Sequence, residues 1–147
     1  MYHVTDSAFA RYVLAMSPEQ PQSFEEFWPY YVSQHLDATS RALHVVGTSI
    51  GLAHLPVVAV FPPAVVPALA WGYGLAWIGH LAFEKNRPAS WYSAKFLAWS
   101  FRGDLRMCKY TLTGRMGVEV AKVKDLLAQE QMASETPPST SGHTVHA

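Results

Sequence analysis

Residues 42–83, ALHVVGTSIGLAHLPVVAVFPPAVVPALAWGYGLAWIGHLAF, contain no Asp, Glu, Lys or Arg. An uncharged apolar run of about 18 residues or more reads as a membrane span, and this one is long enough for two. A first span over residues 43–60 would be ~27 Å long at ~1.5 Å per residue, close to the ~30 Å of a bilayer's hydrocarbon core. Pro56 is expected to kink it, because proline has no N–H to give to the helix. Phe61-Pro62-Pro63 supplies a turn and residues 64–83 return as the second span. Asn86-Arg87-Pro88 stops that span, since the residue before a proline is pushed out of helical geometry. The expected fold class is all-α: an integral membrane hairpin of two antiparallel spans with flanking amphipathic or interfacial helices.

Two rows of small residues predict which faces of the hairpin touch. Gly47 and Gly51 lie on the first span, and Ala68, Gly72 and Ala76 on the second. Such small-xxx-small rows let membrane helices approach closely. Stepping back three from Gly47 reaches His44, and stepping on from Ala76 reaches His80 and then Glu84. An antiparallel hairpin brings the start of one helix beside the end of the other, so His44, His80 and Glu84 are expected to converge at one membrane edge. His80 and Glu84, four apart, share a helix face. His35 and Asp37 sit just upstream and are placed to fold over the same edge. Ionisable groups bordering a span tend to face the bundle interior and mark function. His54, deeper in the first span, reads as an interhelical hydrogen bond, and His3, His143 and His146 are given no role.

Outside the hairpin, residues 7–16 read as a short helix capped by Ser7, followed by a loop to residue 22. Ser23-Phe24-Glu25-Glu26 has capping-box form and opens a helix over 24–35 with Phe24, Phe27, Trp28, Tyr31 and Val32 on one stripe. Residues 91–101 are too short to span; they are expected to lie in the interface or to pack on the hairpin, with Lys95 reaching outward. Gly103 is expected to break that segment. Helices over 104–112 and 116–132 follow, and residues 134–147 read as a disordered tail. The organisation is therefore 1–22, a single membrane-embedded domain over 23–133, and the tail. Residues 84–124 carry nine Lys or Arg against Glu84, Asp104 and Glu119, while the hairpin tip carries no basic residue. By the positive-inside rule both open ends face the cytoplasm.

Composition narrows the function classes. The chain has 147 residues, 11 Lys plus Arg against 11 Asp plus Glu, and 50% hydrophobic residues, which excludes a disordered chain and allows one domain. Zero net charge gives nucleic acid nothing to favour. Cys108 is the sole cysteine, so neither an internal disulfide nor a Cys-rich zinc site can form, and with no evident partner base it is not read as a nucleophile. Metal chemistry falls to the seven histidines. Imidazole plus carboxylate suits iron, manganese or zinc, and two histidines with one carboxylate is the non-haem Fe(II) oxygenase pattern.

Around these residues the sequence resembles a known family. Phe27-Trp28-x-x-Tyr31-x-x-x-His35, Arg41-x-x-His44-x-x-Gly47, Trp77-Ile78-Gly79-His80-x-x-Phe83-Glu84-Lys85-Asn86-Arg87-Pro88-Ala89 and Gly103-Asp104-x-x-Met107 are similar to the small membrane family of the fungal 2-hydroxy fatty acid dioxygenase of phytosphingosine breakdown. The resemblance covers roughly residues 24–110, and residues 36–40 depart from it in lacking the Asn/Pro pattern found there. It implies an Fe(II)-dependent dioxygenase that shortens a long-chain 2-hydroxy fatty acid by one carbon using dioxygen and no 2-oxoglutarate. The bacterial-type member would sit in the inner membrane; a eukaryotic one would sit in the endoplasmic reticulum. His35, His44, His80 and Glu84 would be the catalytic and metal-binding set. Asp104 and Asp37 would orient ligands, and Lys85 or Arg87 would attract the substrate carboxylate. The rival readings are a non-catalytic hairpin scaffold with structural histidines and a zinc-dependent lipid hydrolase.

Overall fold

Asp37 decides where the first span begins. Its carboxylate accepts the N–H groups of Thr39 at 2.7 Å and Ser40 at 3.0 Å, capping a helix that starts four residues before the charge-free run. The Ser40 amide, then that of Thr39, hold its carboxyl below the usual carboxylate range against a small opposing effect of burial. The computed structural model describes residues 21–135 apart from residue 92. The helix expected at 7–16 with its Ser7 cap, His3, His143, His146 and the tail beyond residue 135 lie outside the described residues.

The described residues are helical, with no strand among them: α1 (Phe24–Ser33), α2 (Ala38–Ala53), α3 (Leu55–Val60), a 3-10 turn (Pro62–Ala64), α4 (Val65–Ile78), a π-helical turn (Gly79–Glu84), a 3-10 turn (Ala89–Trp91), α5 (Ala94–Leu112) and α6 (Met116–Glu135). Two continuous stretches, Ala38–Val60 and Pro62–Glu84, are long and apolar enough to cross a membrane. Only 11% and 28% of their most apolar windows are buried inside the protein. The core helix of a soluble protein would be mostly covered, and these two are mostly not.

The hairpin closes along the small-residue rows. A Cβ placed on Gly47 would stand 2.9 Å from the Gly72 carbonyl oxygen, and one on Gly79 would stand 2.9 Å from Ser40 Oγ. The row therefore runs on to Ser40, one turn before His44, and to Gly79, next to His80. The break expected at Pro56 falls at His54, which ends α2 and precedes Leu55 and Pro56. His54 does not bridge the helices: its Nδ1 bonds the Ile50 carbonyl of its own helix at 2.8 Å. The same Ile50 carbonyl also accepts the His54 backbone N–H at 3.2 Å, so the imidazole bonds within the last turn of its own helix.

The apolar core lies beyond the open end of the hairpin, where α1, α5 and α6 pack through Phe24, Phe27, Trp28, Tyr31, Phe96, Met107, Val120 and Val123. The Ser23 hydroxyl accepts the Glu26 N–H at 3.3 Å, and Glu26 reaches back to the Gln22 N–H at 2.9 Å. Gly103 does not break the chain. It sits inside α5, where the Tyr31 ring occupies the space of its missing side chain: an added Cβ would lie 2.7 Å from Tyr31 Cδ2. Residues 94–101 and 104–112 are thus one helix, and close packing accounts for the glycine. Of the two placements expected for residues 91–101, packing on the hairpin is seen at Trp91, which lies edge-on to Trp77 at 5.7 Å. α6 continues to Glu135, so residues 134 and 135 belong to it and not to a tail.

Candidate metal centre

Three histidines from three elements meet at the open end of the hairpin. His35 follows α1, His44 lies on the second turn of α2, and His80 lies on the π turn that ends the second span. Their ring centroids are 4.5, 4.7 and 4.9 Å apart, and one ligating nitrogen from each lies within 4.8 Å of the others. They are buried, with 2%, 4% and 4% of their surfaces exposed.

Their hydrogen bonds fix which nitrogens face inward. His35 Nδ1 meets the Tyr31 carbonyl at 2.6 Å, His44 Nδ1 meets Asp104 Oδ1 at 2.9 Å, and His80 Nδ1 meets Asn86 Oδ1 at 2.7 Å. A carbonyl or carboxylate oxygen only accepts, so the first two Nδ1 atoms carry the proton and donate it. The Asn86 amide is oriented by its own Nδ2, which donates to the Gln34 carbonyl and to Gln34 Oε1, both at 3.1 Å. That leaves Asn86 Oδ1 as the acceptor for His80. All three rings then hold their lone pairs on Nε2, the form that binds a metal.

His35 Nε2 and His44 Nε2 are buried and have no hydrogen-bond partner. A buried acceptor left unsatisfied costs about 1–3 kcal/mol, and a cation among the three nitrogens would remove that cost. Burial, reinforced by His44 and His80, also holds the His35 imidazole well below its ordinary value of 6.5. The ring is therefore neutral at neutral pH and ready to ligate. The donor set fits a divalent transition metal of the iron, manganese or zinc type.

The sequence-expected residues distribute as follows. His35, His44 and His80 come together. Glu84 is not in the group; its Oε1 accepts the Asp37 backbone N–H at 2.8 Å, tying the end of the second span to the start of the first. The i, i+4 spacing put it on the face of His80, and the π turn Gly79–Glu84 keeps it near that face, but its carboxylate oxygen is taken by the backbone amide of Asp37 and the three nitrogens that converge are all from histidines. Asp104 orients His44, and its Oδ1 also accepts the Tyr31 hydroxyl. Asp37 serves as the cap of α2. Lys85, left-handed at φ 55, and Arg87 are exposed. Sequence reasoning missed Asn86 and Tyr31 as the holders of two imidazoles. The signal was present: Tyr31 stands one helical turn before His35, and Asn86 lies inside the motif around His80.

The three histidines, Tyr31 and Asp104 close one end of a cavity of about 280 Å³ that continues between the spans past Gly51, Ala68 and Gly72 to Leu55, Val58 and Val65. No Lys or Arg lines it among the described residues.

Neither the curated proteins nor the solved structures contain a match to the chain. A family model described as 2-hydroxy-palmitic acid dioxygenase Mpo1-like matches residues 21–116, and the chain therefore belongs to the Mpo1-like family.

Proposed function

We propose that this protein is a membrane-embedded, Fe(II)-dependent dioxygenase that converts a long-chain 2-hydroxy fatty acid to the acid one carbon shorter. The observation that carries this reading is the pair of buried, partnerless Nε2 atoms of His35 and His44 facing His80 at the head of an apolar cavity. The family's description supplies the substrate class. A scaffold with structural histidines would pair those nitrogens across the helices, which the geometry does not favour.

In this reading His35, His44 and His80 hold the ion, which when bound supplies Lewis-acid polarisation and a redox centre for dioxygen chemistry. The chain's own residues prepare it. The Tyr31 carbonyl, Asp104 and Asn86 each retain an Nδ1 proton, so that three Nε2 lone pairs stay turned inward. Asp104 adds one negative charge behind His44, held in place by the Tyr31 hydroxyl. Three neutral imidazoles, Asp104 and a divalent ion leave one positive charge, which a substrate monoanion neutralises in a site where net charge is costly. Because no cationic side chain among the described residues lines the cavity, we assign the carboxylate's counter-charge to the ion and not to Lys85 or Arg87. Apolar walls keep water from the reacting end. The conversion balances without another co-reactant. One 2-hydroxy acid and one dioxygen give the shortened acid, carbon dioxide and water, and the organic acid loses the four electrons that dioxygen takes up.

The two spans cross the membrane with both open ends in the cytoplasm, where the basic residues of 84–124 lie. The deciding experiment is metal analysis of anaerobically purified protein together with dioxygen uptake on 2-hydroxypalmitic acid. One iron per chain and one dioxygen consumed per acid shortened are expected. Zinc in its place with hydrolysis of an ester lipid would favour the hydrolase reading, and metal-free protein would sink both.

A further inference from the structure

We propose that the groove between the spans is the slot for the substrate's acyl chain, and that Gly51, Ala68 and Gly72 set the chain length it accepts. The proposal rests on the 2-hydroxy acid reading above and extends it from the head of the substrate to its tail. The cavity is continuous from the histidines to Leu55, Val58 and Val65 near the hairpin tip. From His44 to Leu55 the helix advances ~16 Å at ~1.5 Å per residue. One leaflet of a bilayer is about half of a ~30 Å hydrocarbon core, so the slot is as deep as the layer in which a membrane acyl chain lies. A head group held at the histidines thus sits at the membrane edge with its tail at the depth it already occupied in lipid.

The small-residue rows divide into two kinds. Gly47 is needed for helix contact, since its Cβ would collide with the Gly72 carbonyl at 2.9 Å. Gly51 and Gly72 are not: added Cβ atoms there would meet backbone oxygens only at 3.5 and 3.8 Å, ordinary contact distances. Both nevertheless line the cavity, with the buried Ala68 between them. Side chains at these positions would fit the helices but fill the slot. The buried, partnerless Nε2 atoms of His35 and His44 line its head, so the space opens directly onto the atoms that would hold the ion and receive the substrate's polar end. Lipid is as apolar as the slot walls, so moving a tail from one to the other yields little hydrophobic gain. Discrimination among chains must then come from shape, through the room that Gly51, Ala68 and Gly72 leave between the spans.

Two measurements on the full chain in lipid nanodiscs test this. In the first, 2-hydroxypalmitic acid with a diazirine on its terminal carbon is photolysed anaerobically with the metal-loaded protein. Labelling within residues 55–69 that unlabelled 2-hydroxypalmitic acid competes away is expected. Labelling confined to the lipid-facing Val46 and Leu81, or labelling that is not competed, overturns the slot. In the second, Gly51→Phe, with Gly72→Val as the milder block, is assayed against a series from 2-hydroxyoctanoic to 2-hydroxypalmitic acid. A shift of about tenfold toward the short acids, the scale of one overpacked group, with metal content unchanged, is expected. An equal loss at every length with metal retained overturns the ruler. Should wild-type protein oxidise no 2-hydroxy acid while the competed label still falls within 55–69, the slot stands and the dioxygenase reading falls.

Discussion

The ring of Tyr31 fills the space where Gly103 lacks a side chain, with Cδ2 only 2.7 Å from the position of an added Cβ. Tyr31 also serves two histidines, its carbonyl bonding His35 and its hydroxyl reaching Asp104, which bonds His44. Gly103→Ala is expected to cost about 1–3 kcal/mol, the range for an overpacked core, and to weaken metal binding as well. Gly74→Ala is the control, because nothing lies within 4 Å of a Cβ there; in a helix that change should be neutral or slightly stabilising. Thermal midpoints and metal content of the two variants check the contrast.

Asn86 holds the tautomer of His80 through an amide that Gln34 orients. Asn86→Leu keeps the size and removes the acceptor, and metal affinity should fall by about 10–100-fold, as for other groups that orient a ligand. Asn86→Asp keeps an oxygen for His80 Nδ1, and the Gln34 side-chain amide can turn to donate, but the variant's second oxygen then faces the Gln34 backbone carbonyl where the Nδ2 donor stood 3.1 Å away, so affinity should return only in part. Equal losses of affinity in both variants, tracking equal losses of thermal stability, would reduce Asn86 to a packing residue.

Glu84 separates two ligand sets. If its part is to accept the Asp37 N–H, Glu84→Gln retains that acceptor and keeps close to one metal per chain, while His44→Ala loses it. Metal analysis of both variants decides, and loss of the ion from Glu84→Gln would restore a carboxylate to the coordination sphere.

The Tyr31 phenol gives a pH signature outside the spans. Burial first, then the charge and hydrogen bond of Asp104, hold its pKa well above the ordinary 10.0. A folded-state value above the unfolded one means that folding favours the protonated form. That contribution is complete below 10.0 and is lost as pH rises from there toward the folded-state value. The wild-type thermal midpoint is therefore expected to fall with alkalinity past 10.0 more steeply than that of Tyr31→Phe, which has no proton to lose. At neutral pH the variant should be the less stable, having removed one of the two donors to Asp104 Oδ1 and left only His44. Parallel alkaline slopes would contradict the assignment.

The hairpin was legible because its signal is local and one-dimensional. A charge-free run needs no partner to be recognised, and Gly47 opposite Gly72 follows from spacing along two antiparallel helices. His44 and His80 were legible for the same reason, since each continues a small-residue row. Gly103 was misread because a glycine that ends a helix and one that admits an aromatic ring look alike in sequence; the Tyr31 that distinguishes them lies 72 residues away. Glu84 was placed by its spacing from His80, which says nothing of the Asp37 amide, 47 residues earlier in the chain, that takes its carboxylate oxygen.

The sequence by itself determined an all-helical hairpin with histidines at its open end, because hydropathy, glycine spacing and capping act over a few residues at a time. Only the tertiary structure decided that His35 completes a group of three while Glu84 bonds a backbone amide. It also decided that Tyr31, Asn86 and Asp104 orient the rings, and that the space between the spans is open past Gly51. Those outcomes depend on hydrogen bonds and ring contacts between residues far apart in the chain, whose directions follow from the packing of α1 and α5 against the hairpin and from no periodicity within either.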